Sequence, residues 1–462
     1  MKFSPEALWA HLQPHLPPQA EAQLCVAFSG GLDSTVLLVA LSHQLRTRRD
    51  FRLRAVHIDH RLQSASAQWA QHCLDLARTL DIDCVVRQVS IDTEAEEGIE
   101  AAARTARYRA LSEMLNPGEI LLTAHHADDQ LETVLLALAR GAGLAGLAAM
   151  SPCRSLAHGT HVRPMLPFTR EEIEHWAQSH SLTWICDPSN MNVQFSRNLL
   201  RSEVTPSLKR RWPSIARTAS RSASHLADAE SLLDELAMLD QREAQAGSSL
   251  RVASLASMSS ARRRNLLRYW LRERGARAPS TRKLFALEQD MLKAADDRNP
   301  RVQWDGFEVR RYRGLLYAGP WSPEPVLHHL EWKWRDPLEL GNGLGRLRVA
   351  SSSTKGLDES RLPAKLRVEF RQGGERLQPS GRAHHRELKK LLQEAKVLPW
   401  WRKYVPLIWS GDALVAVGDL WIAEEFTTRT PTRAVEIAWE RRPSIFSADD
   451  SSAELVPHKK HQ

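Results

Sequence analysis

The chain has 462 residues, 26% of them charged and 42% apolar, and a net charge of +8. At roughly 100–200 residues per domain this predicts about three folded units, and a composition near the globular average excludes a fibrous or wholly disordered polymer. Its longest apolar runs, residues 36–41 and 134–139, fall far short of the ~20 that span a bilayer. Residues 1–20 lack a signal-peptide core, and five cysteines without a CxxC pair fit neither a disulfide framework nor a zinc ribbon. A cytoplasmic protein with no membrane partner is expected.

In chain order, residues 24–28 predict a buried strand and 35–45 a helix after a Gly turn. Strands at 54–58, 84–89 and 120–124 alternate with helices at 67–80, 99–115 and 129–140. Four strand–helix repeats predict an α/β fold over residues 1–213, a doubly wound, Rossmann-like parallel sheet with ligands at the carboxyl ends of its strands. Residues 214–335 read as a mainly helical module, interrupted near 247–249, with a short sheet at 301–317. Residues 350–363 look like a linker, residues 340–446 like a small α/β domain, and 447–462 like a disordered tail. Eight of the 15 Trp lie from Trp321 onward, enough for an aromatic core in this last third.

The distribution of charge says more than its sum. Residues 195–225 hold seven bases against one acid, residues 251–285 ten against one, and residues 376–403 eight against two. The first two windows together exceed the charge of the whole chain, so the remainder is net acidic. Separated basic faces on an acidic body suit a polyanion, most economically a nucleic acid; solvated helix faces are the alternative.

The strongest local signal is Ser29-Gly30-Gly31-Leu32-Asp33-Ser34, between the first strand and the first long helix. Two glycines permit a tight turn whose N–H groups face an anion, and the following helix aims its positive end at the same place. Ser29 and Ser34 can donate further bonds, and Asp33 could hold Mg²⁺ on phosphate oxygens. The alternative is a capped Gly turn. A second signal, His125-His126-Ala127-Asp128-Asp129-Gln130-Leu131-Glu132-Thr133, lies at the end of the fourth strand. Asp129 and Glu132 share a helix face and suit a cationic substrate. Helix capping is the alternative for the acids, and a His–Asp metal site lacks a clear third ligand.

The pattern SGGxDS resembles the loop of the PP-loop ATP pyrophosphatases, and the block at 125–133 with residues 140–147 closely resembles the tRNA(Ile)-lysidine synthetase family. So do residues 56–60 (VHIDH) with Leu62, residues 100–108 (EAAARTARY), and Asp187-Pro188-Ser189-Asn190 followed by Arg197, Asn198 and Arg201. Residues 370–379 (FRQGGERLQP), 388–392 and 397–406 (VLPWWRKYVP) resemble that family's C-terminal domain. The resemblance implies a PP-loop adenylation domain followed by two tRNA-binding domains. It implies a ligase that uses ATP and Mg²⁺ to activate C2 of the wobble cytidine in a CAU-anticodon tRNA(Ile), which the ε-amine of L-lysine then attacks.

On that resemblance, Ser29, Gly30, Gly31, Leu32, Asp33 and Ser34 bind ATP, Asp33 holds Mg²⁺, and Asp129 and Glu132 bind lysine. Arg104, Arg107 and Arg201 are candidates for stabilising phosphate charge, and His125 for orienting the base or the α-phosphate. The tRNA falls to Arg197 and Arg201, to Arg262, Arg263 and Arg264, and to Lys389, Lys390, Arg402 and Lys403 among Trp400, Trp401 and Tyr404. Trp409 and Trp421 read as core rather than stacking platforms. The oligomeric state stays open, a homodimer included. The nearest alternative is a PP-loop tRNA thiolase using Cys153 and Cys186, although buried free cysteines are commoner. A small-molecule ligase would have no need of the basic windows, and an RNA-binding module with a decayed ATP site would not keep residues 29–34 intact.

Overall fold

The computed structural model describes residues 2–17, 21–48, 50–61, 65–90, 99–188, 194–294, 299–321, 329–352, 355–430 and 433–442. Leu62, Ser189, Asn190 and the tail at 447–462 lie outside them. The chain forms two compact units, Met1–Leu233 and Asp234–Gln462.

The first unit is built on six strands. At the centre, β1 (Ala22–Ala27) pairs in parallel with β2 (Phe51–Asp59) on one side and with β4 (Ile120–Leu122) on the other. Beyond β2 lies β3 (Asp83–Gln88), parallel; beyond β4 lie β6 (Gly159–Val162), parallel, and β5 (Cys153–Leu156), antiparallel. Leu24 and Val26 of β1 enter one core cluster and Cys25 another, so the central strand is apolar on both faces, as a doubly covered parallel strand must be.

The helices are α1 (Pro5–Leu12), α2 (Leu32–Leu45), α3 (Ser66–Thr79), α4 (Ile99–Met114), α5 (Ala127–Ala139), α6 (Leu144–Leu147) and α7 (Arg170–Ser179). Residues of α1, α2, α3 and α7 join the Leu24–Val26 cluster, whereas Leu111 of α4 joins Cys25, Val56 and Leu121. The crossover from β3 back to β4 therefore runs over the opposite face, and the strand order reverses between β1 and β4. Such a reversal opens a crevice at the carboxyl ends of those two strands, where the Gly turn and the acidic helix both begin. Next come α8 (Ser196–Leu199), a π-helical turn at Leu200–Val204, α9 (Thr205–Arg211) and the 30-residue α10 (Ile215–Ala244).

In the second unit, the helices Val252–Ser257, Ser260–Arg272 and Thr281–Ala286 share a core with a five-stranded antiparallel sheet. Leu266, Leu267, Trp270 and Leu271 form the buried stripe of the middle helix. The interruption expected near residues 247–249 is a hairpin, Gln245–Ala246 against Ser249–Arg251, turning at Gly247 with φ +56°.

The last part is β-rich: two five-stranded sheets around Trp332, Trp334 and Trp439, with the helix Leu388–Glu394. Trp409 and Trp421 pack against this core. Leu330–Trp332 pairs with Leu366–Phe370 and so belongs to these sheets. The linker expected at 350–363 is instead structured. Arg346–Ser351 and Gly356–Asp358 both pair with Ala434–Glu440. Its glycine reflects close backbone approach, because a Cβ on Gly356 would stand 2.4 Å from the Val435 carbonyl oxygen.

Candidate active site

The turn between β1 and α2 exposes backbone to the crevice. Gly30 has φ +79°, and a Cβ there would stand 2.4 Å from Ile185 Cδ1 and 2.9 Å from Cys73 Sγ. Only glycine meets both demands. The Ser34 hydroxyl closes the turn, accepting from the Ser29 amide at 3.2 Å and donating to the Gly31 carbonyl at 3.1 Å. Ser29, Gly31, Asp33 and Ser34 line a cavity of about 450 Å³, walled also by Asp59, His60, Arg107, Tyr108 and His125. Leu32 is buried in the core, and Gly30 abuts Ile185, so these two shape the turn rather than line the cavity.

Across the switch point, α5 starts at His126, whose backbone N–H donates to Asp129 Oδ2 at 3.1 Å. The His126 ring is buried, with Asp129 Oδ2 at 3.4 Å, Asp33 Oδ1 at 3.7 Å and Asp128 Oδ2 at 3.8 Å. Burial alone would lower its pKa, but these three carboxylates raise it to about 9, while its Nδ1 accepts the Asp129 backbone N–H at 3.4 Å. Asp33 also accepts from Arg170 Nη1 at 2.9 Å. Burial would raise the Asp33 pKa, yet His126, Arg170 and Arg201 hold it below the usual carboxylate value. Its Oδ1 is buried, accepts no hydrogen bond and faces the His126 ring nitrogen at 3.7 Å. Asp128 is held by the Arg170 amide at 2.8 Å and by Lys209.

Asp129 and Glu132 do share a face, and one guanidinium lies on both. Arg201 Nε donates to Glu132 Oε1 at 2.8 Å, and its Nη2 to Glu132 Oε2 at 3.0 Å and to Asp129 Oδ1 at 2.9 Å. Burial raises the Glu132 pKa above its ordinary value despite Arg201. For Asp129 burial works in the same direction, but His126, His125 and Arg201 outweigh it and its pKa falls. Arg201 rides on the π-helical turn, a bulge that recurs at functional sites. It is thus committed to the acid pair rather than to the phosphate loop.

His125 places Nδ1 2.8 Å from Thr123 Oγ1. Burial, with Arg163, Arg107 and Arg104 nearby, holds its pKa well below the ordinary value. Arg104, Arg107 and Arg154 surround Tyr108, at 5.1, 5.6 and 5.2 Å from its ring centre. Arg107 has no carboxylate partner among the described residues, and its pKa is lowered by burial and by Arg104 and Arg197. Such an uncompensated group of cations beside a phosphate-type loop favours an anion.

The tRNA-binding candidates divide. Arg197 reaches Thr133 Oγ1 at 3.4 Å. Arg262 pairs with the fully buried Asp240, Arg264 Nη1 with Glu288 Oε2 at 3.2 Å, and Arg263 Nη2 donates to the Met258 carbonyl at 2.9 Å. These three arginines hold their own unit together. Arg402 donates to the Val397 carbonyl and the Tyr312 hydroxyl, and Trp400 meets Tyr312 and Tyr317 edge-on. Lys389 is exposed, and Lys390 lies 3.7 Å from Glu387. Sequence reading quoted His126 and Asp128 within the 125–133 block but gave no role of their own to them, nor to Arg170 and Lys209. The His-His doublet was the only local sign of the first, and nothing local marks Arg170, 137 residues from Asp33.

A glycine-turned anion loop at the switch point of a doubly wound sheet defines a PP-loop ATP-using domain, and a family model for that domain matches residues 6–208. Two more, described as the TilS substrate binding domain and the TilS substrate C-terminal domain, match residues 250–317 and 366–439. The tRNA(Ile)-lysidine synthase of Alkalilimnicola ehrlichii is 44% identical over 94% of this chain and 97% of its own. Those of Coxiella burnetii and Pseudomonas putida are 40% and 43% identical, covering 89% and 86% of this chain and 91% and 92% of their own. The chain belongs to the tRNA(Ile)-lysidine synthase family, as the sequence resemblance implied.

Proposed function

We propose that the protein joins the ε-amine of L-lysine to C2 of the wobble cytidine of a CAU-anticodon tRNA(Ile), consuming ATP and releasing AMP and pyrophosphate. The observation that carries this reading is the phosphate-type loop and the Asp129–Glu132 pair on opposite sides of one switch-point crevice. In the first step the C2 carbonyl oxygen attacks the α-phosphorus and the bond to the β-phosphate breaks. In the second, the lysine Nε attacks C2 and AMP departs with the oxygen. The backbone of residues 29–34 and the positive end of α2 would take the phosphates, with Arg104 and Arg107 facing the charge that builds there.

Asp33 would hold Mg²⁺, which would supply positive charge to neutralise the phosphates. No cluster of three metal-ligating side chains exists among the described residues, so ATP would supply the other ligands. Asp129 and Glu132 would receive the lysine ammonium, sharing or displacing Arg201, and one of them would take the proton before attack. Glu132 is the better acceptor, since its pKa is already raised.

A tRNA thiolase would need an activated thiolate. Of the two candidate thiols, Cys153 is half-buried and burial raises its pKa above the usual value, which disfavours it as that thiolate, whereas Cys186 is not a buried cysteine but an exposed one. No helix among the described residues is long and apolar enough to cross a membrane, and a tRNA substrate places the reaction in the cytoplasm. The test supplies labelled lysine, ATP and defined tRNAs. Label should enter only the CAU tRNA(Ile), with one AMP formed per lysine; label that never enters tRNA removes the proposal.

A further inference from the structure

Behind His125 lies a buried chain of polar groups that the reaction scheme does not use. His161, on β6 and fully buried, faces two arginines: Arg154 Nε at 3.2 Å and Arg163 Nη2 at 3.3 Å from its Nδ1. Its Nε2 lies 2.8 Å from Thr123 Oγ1, and Thr123 Oγ1 lies 2.8 Å from His125 Nδ1. Arg163 is itself anchored, its Nη1 donating to the Ser151 carbonyl at 2.5 Å.

The direction of this chain follows from its first link. A guanidinium can only donate. His161 Nδ1 must therefore be the bare nitrogen, and Nε2 carries the ring proton and donates to Thr123. Among the described residues the Thr123 hydroxyl has only the two rings as partners, so its own proton points at His125 Nδ1. His125, which lines the cavity, is then left with its proton on Nε2. We propose that Thr123 and His161, aligned by Arg154 and Arg163, are positioning residues that lock His125 as a neutral Nε2–H donor toward the substrate.

This rests on the role given to His125 above and deepens it. A ring so fixed can donate to an oxygen gaining negative charge, on the α-phosphate or the cytidine. It cannot take the amine's proton at Nε2, and that task passes to the acid pair. The electrostatics agree. Burial, with Arg163, Arg154, Arg104 and Arg107 in range, lowers the His161 pKa to about 3, so the link is not broken by a second ring proton near neutrality.

The test is made on the full chain labelled with [¹⁵N]histidine, with the His125 signals assigned by their loss in His125→Gln. Two-bond ¹H–¹⁵N correlations should show His125 protonated at Nε2 and bare at Nδ1. Thr123→Val, nearly isosteric, should give a tautomer mixture and lower kcat for lysine transfer by roughly 10- to 100-fold, short of the ~100- to 1,000-fold loss of a whole donor. KM for ATP and for lysine should not change, and Thr123→Ser should restore both the spectrum and the rate. A wild-type His125 protonated at Nδ1, or a Thr123→Val spectrum identical to wild type, overturns the proposal. So does a changed tautomer with an unchanged rate. If His125→Gln itself transfers lysine normally, it is the assigned role of His125 that fails, while the tautomer result stands separately.

Discussion

Glu132, buried, and Asp129, half-buried, share one arginine, an arrangement that already solves the electrostatics of receiving a cation. Asp129→Asn removes one of the charges that a lysine ammonium would meet. A charge-assisted hydrogen bond contributes about 1.5–3 kcal/mol, so KM for lysine should rise roughly 10- to 100-fold. ATP affinity, measured separately, should stay within a factor of about two. Equal loss of both would move the lysine site elsewhere. His161 supplies a pH test. Its folded pKa, about 3, lies below the ~6.5 of an exposed histidine, so folding favours the neutral ring. The resulting stability is present above pH 6.5 and is lost as pH falls toward 3. Between pH 7 and 5 that loss amounts to about 2 kcal/mol, which His161→Asn cannot undergo. Denaturant titrations should show the wild type's advantage over the variant narrowing by that amount. A constant gap would mean that the ring is not held neutral.

At the scale of elements, the site is a meeting of helix starts. α2 begins in the Gly turn and α5 at His126. α7 begins at Arg170, whose amide binds Asp128 while its side chain binds Asp33. Three helix N-termini bring positive dipole ends to one place, and the carboxylates there are stabilised accordingly. The Gly turn tolerates little change. Gly30→Ala combines a left-handed backbone with a 2.4 Å clash on Ile185 and should lower stability by about 1–3 kcal/mol. AMP formation should fall with it. Adding Ile185→Ala relieves that clash but neither the 2.9 Å approach to Cys73 Sγ nor the φ angle, so chemical denaturation of the double variant should show only part of the loss recovered. Full recovery would mean that the backbone conformation is not constrained.

Over the whole molecule, basic windows that look alike in sequence divide into structural and exposed charge. Arg262 stands on a fully buried acid, Asp240, whereas Lys389 is exposed on its helix with no such partner among the described residues. Arg262→Ala should lower the thermal unfolding midpoint, because Asp240 is left buried without its cation, and should leave the salt dependence of tRNA binding unchanged. Lys389→Ala should preserve the midpoint and reduce the slope of log affinity against log salt by about 0.7–0.9, the loss of one phosphate contact. Exchange of these two outcomes would reverse the assignment. Trp400 and Arg402 belong with the structural group, since they dock on Tyr312 and Tyr317 within the same unit.

Local sequence by itself determined the PP-loop, because the strand, the glycines and the helix that make it are consecutive residues whose periodicity and φ requirements are local. It also determined the Asp129–Glu132 face, since a three-residue spacing places two side chains together on any helix. The family was legible for the same reason, as its motifs are runs of neighbouring residues. Only the tertiary structure decided which partners those residues have. Arg201 reaches back 69 residues to Glu132, and Arg170 reaches 137 to Asp33. The raised pKa of His126 and the lowered pKa of His125, adjacent in the chain, follow from what surrounds each ring: three carboxylates for one, burial and arginines for the other. A pKa and a tautomer are set by neighbours in space, and in this fold those neighbours come from strands and helices that are distant in sequence.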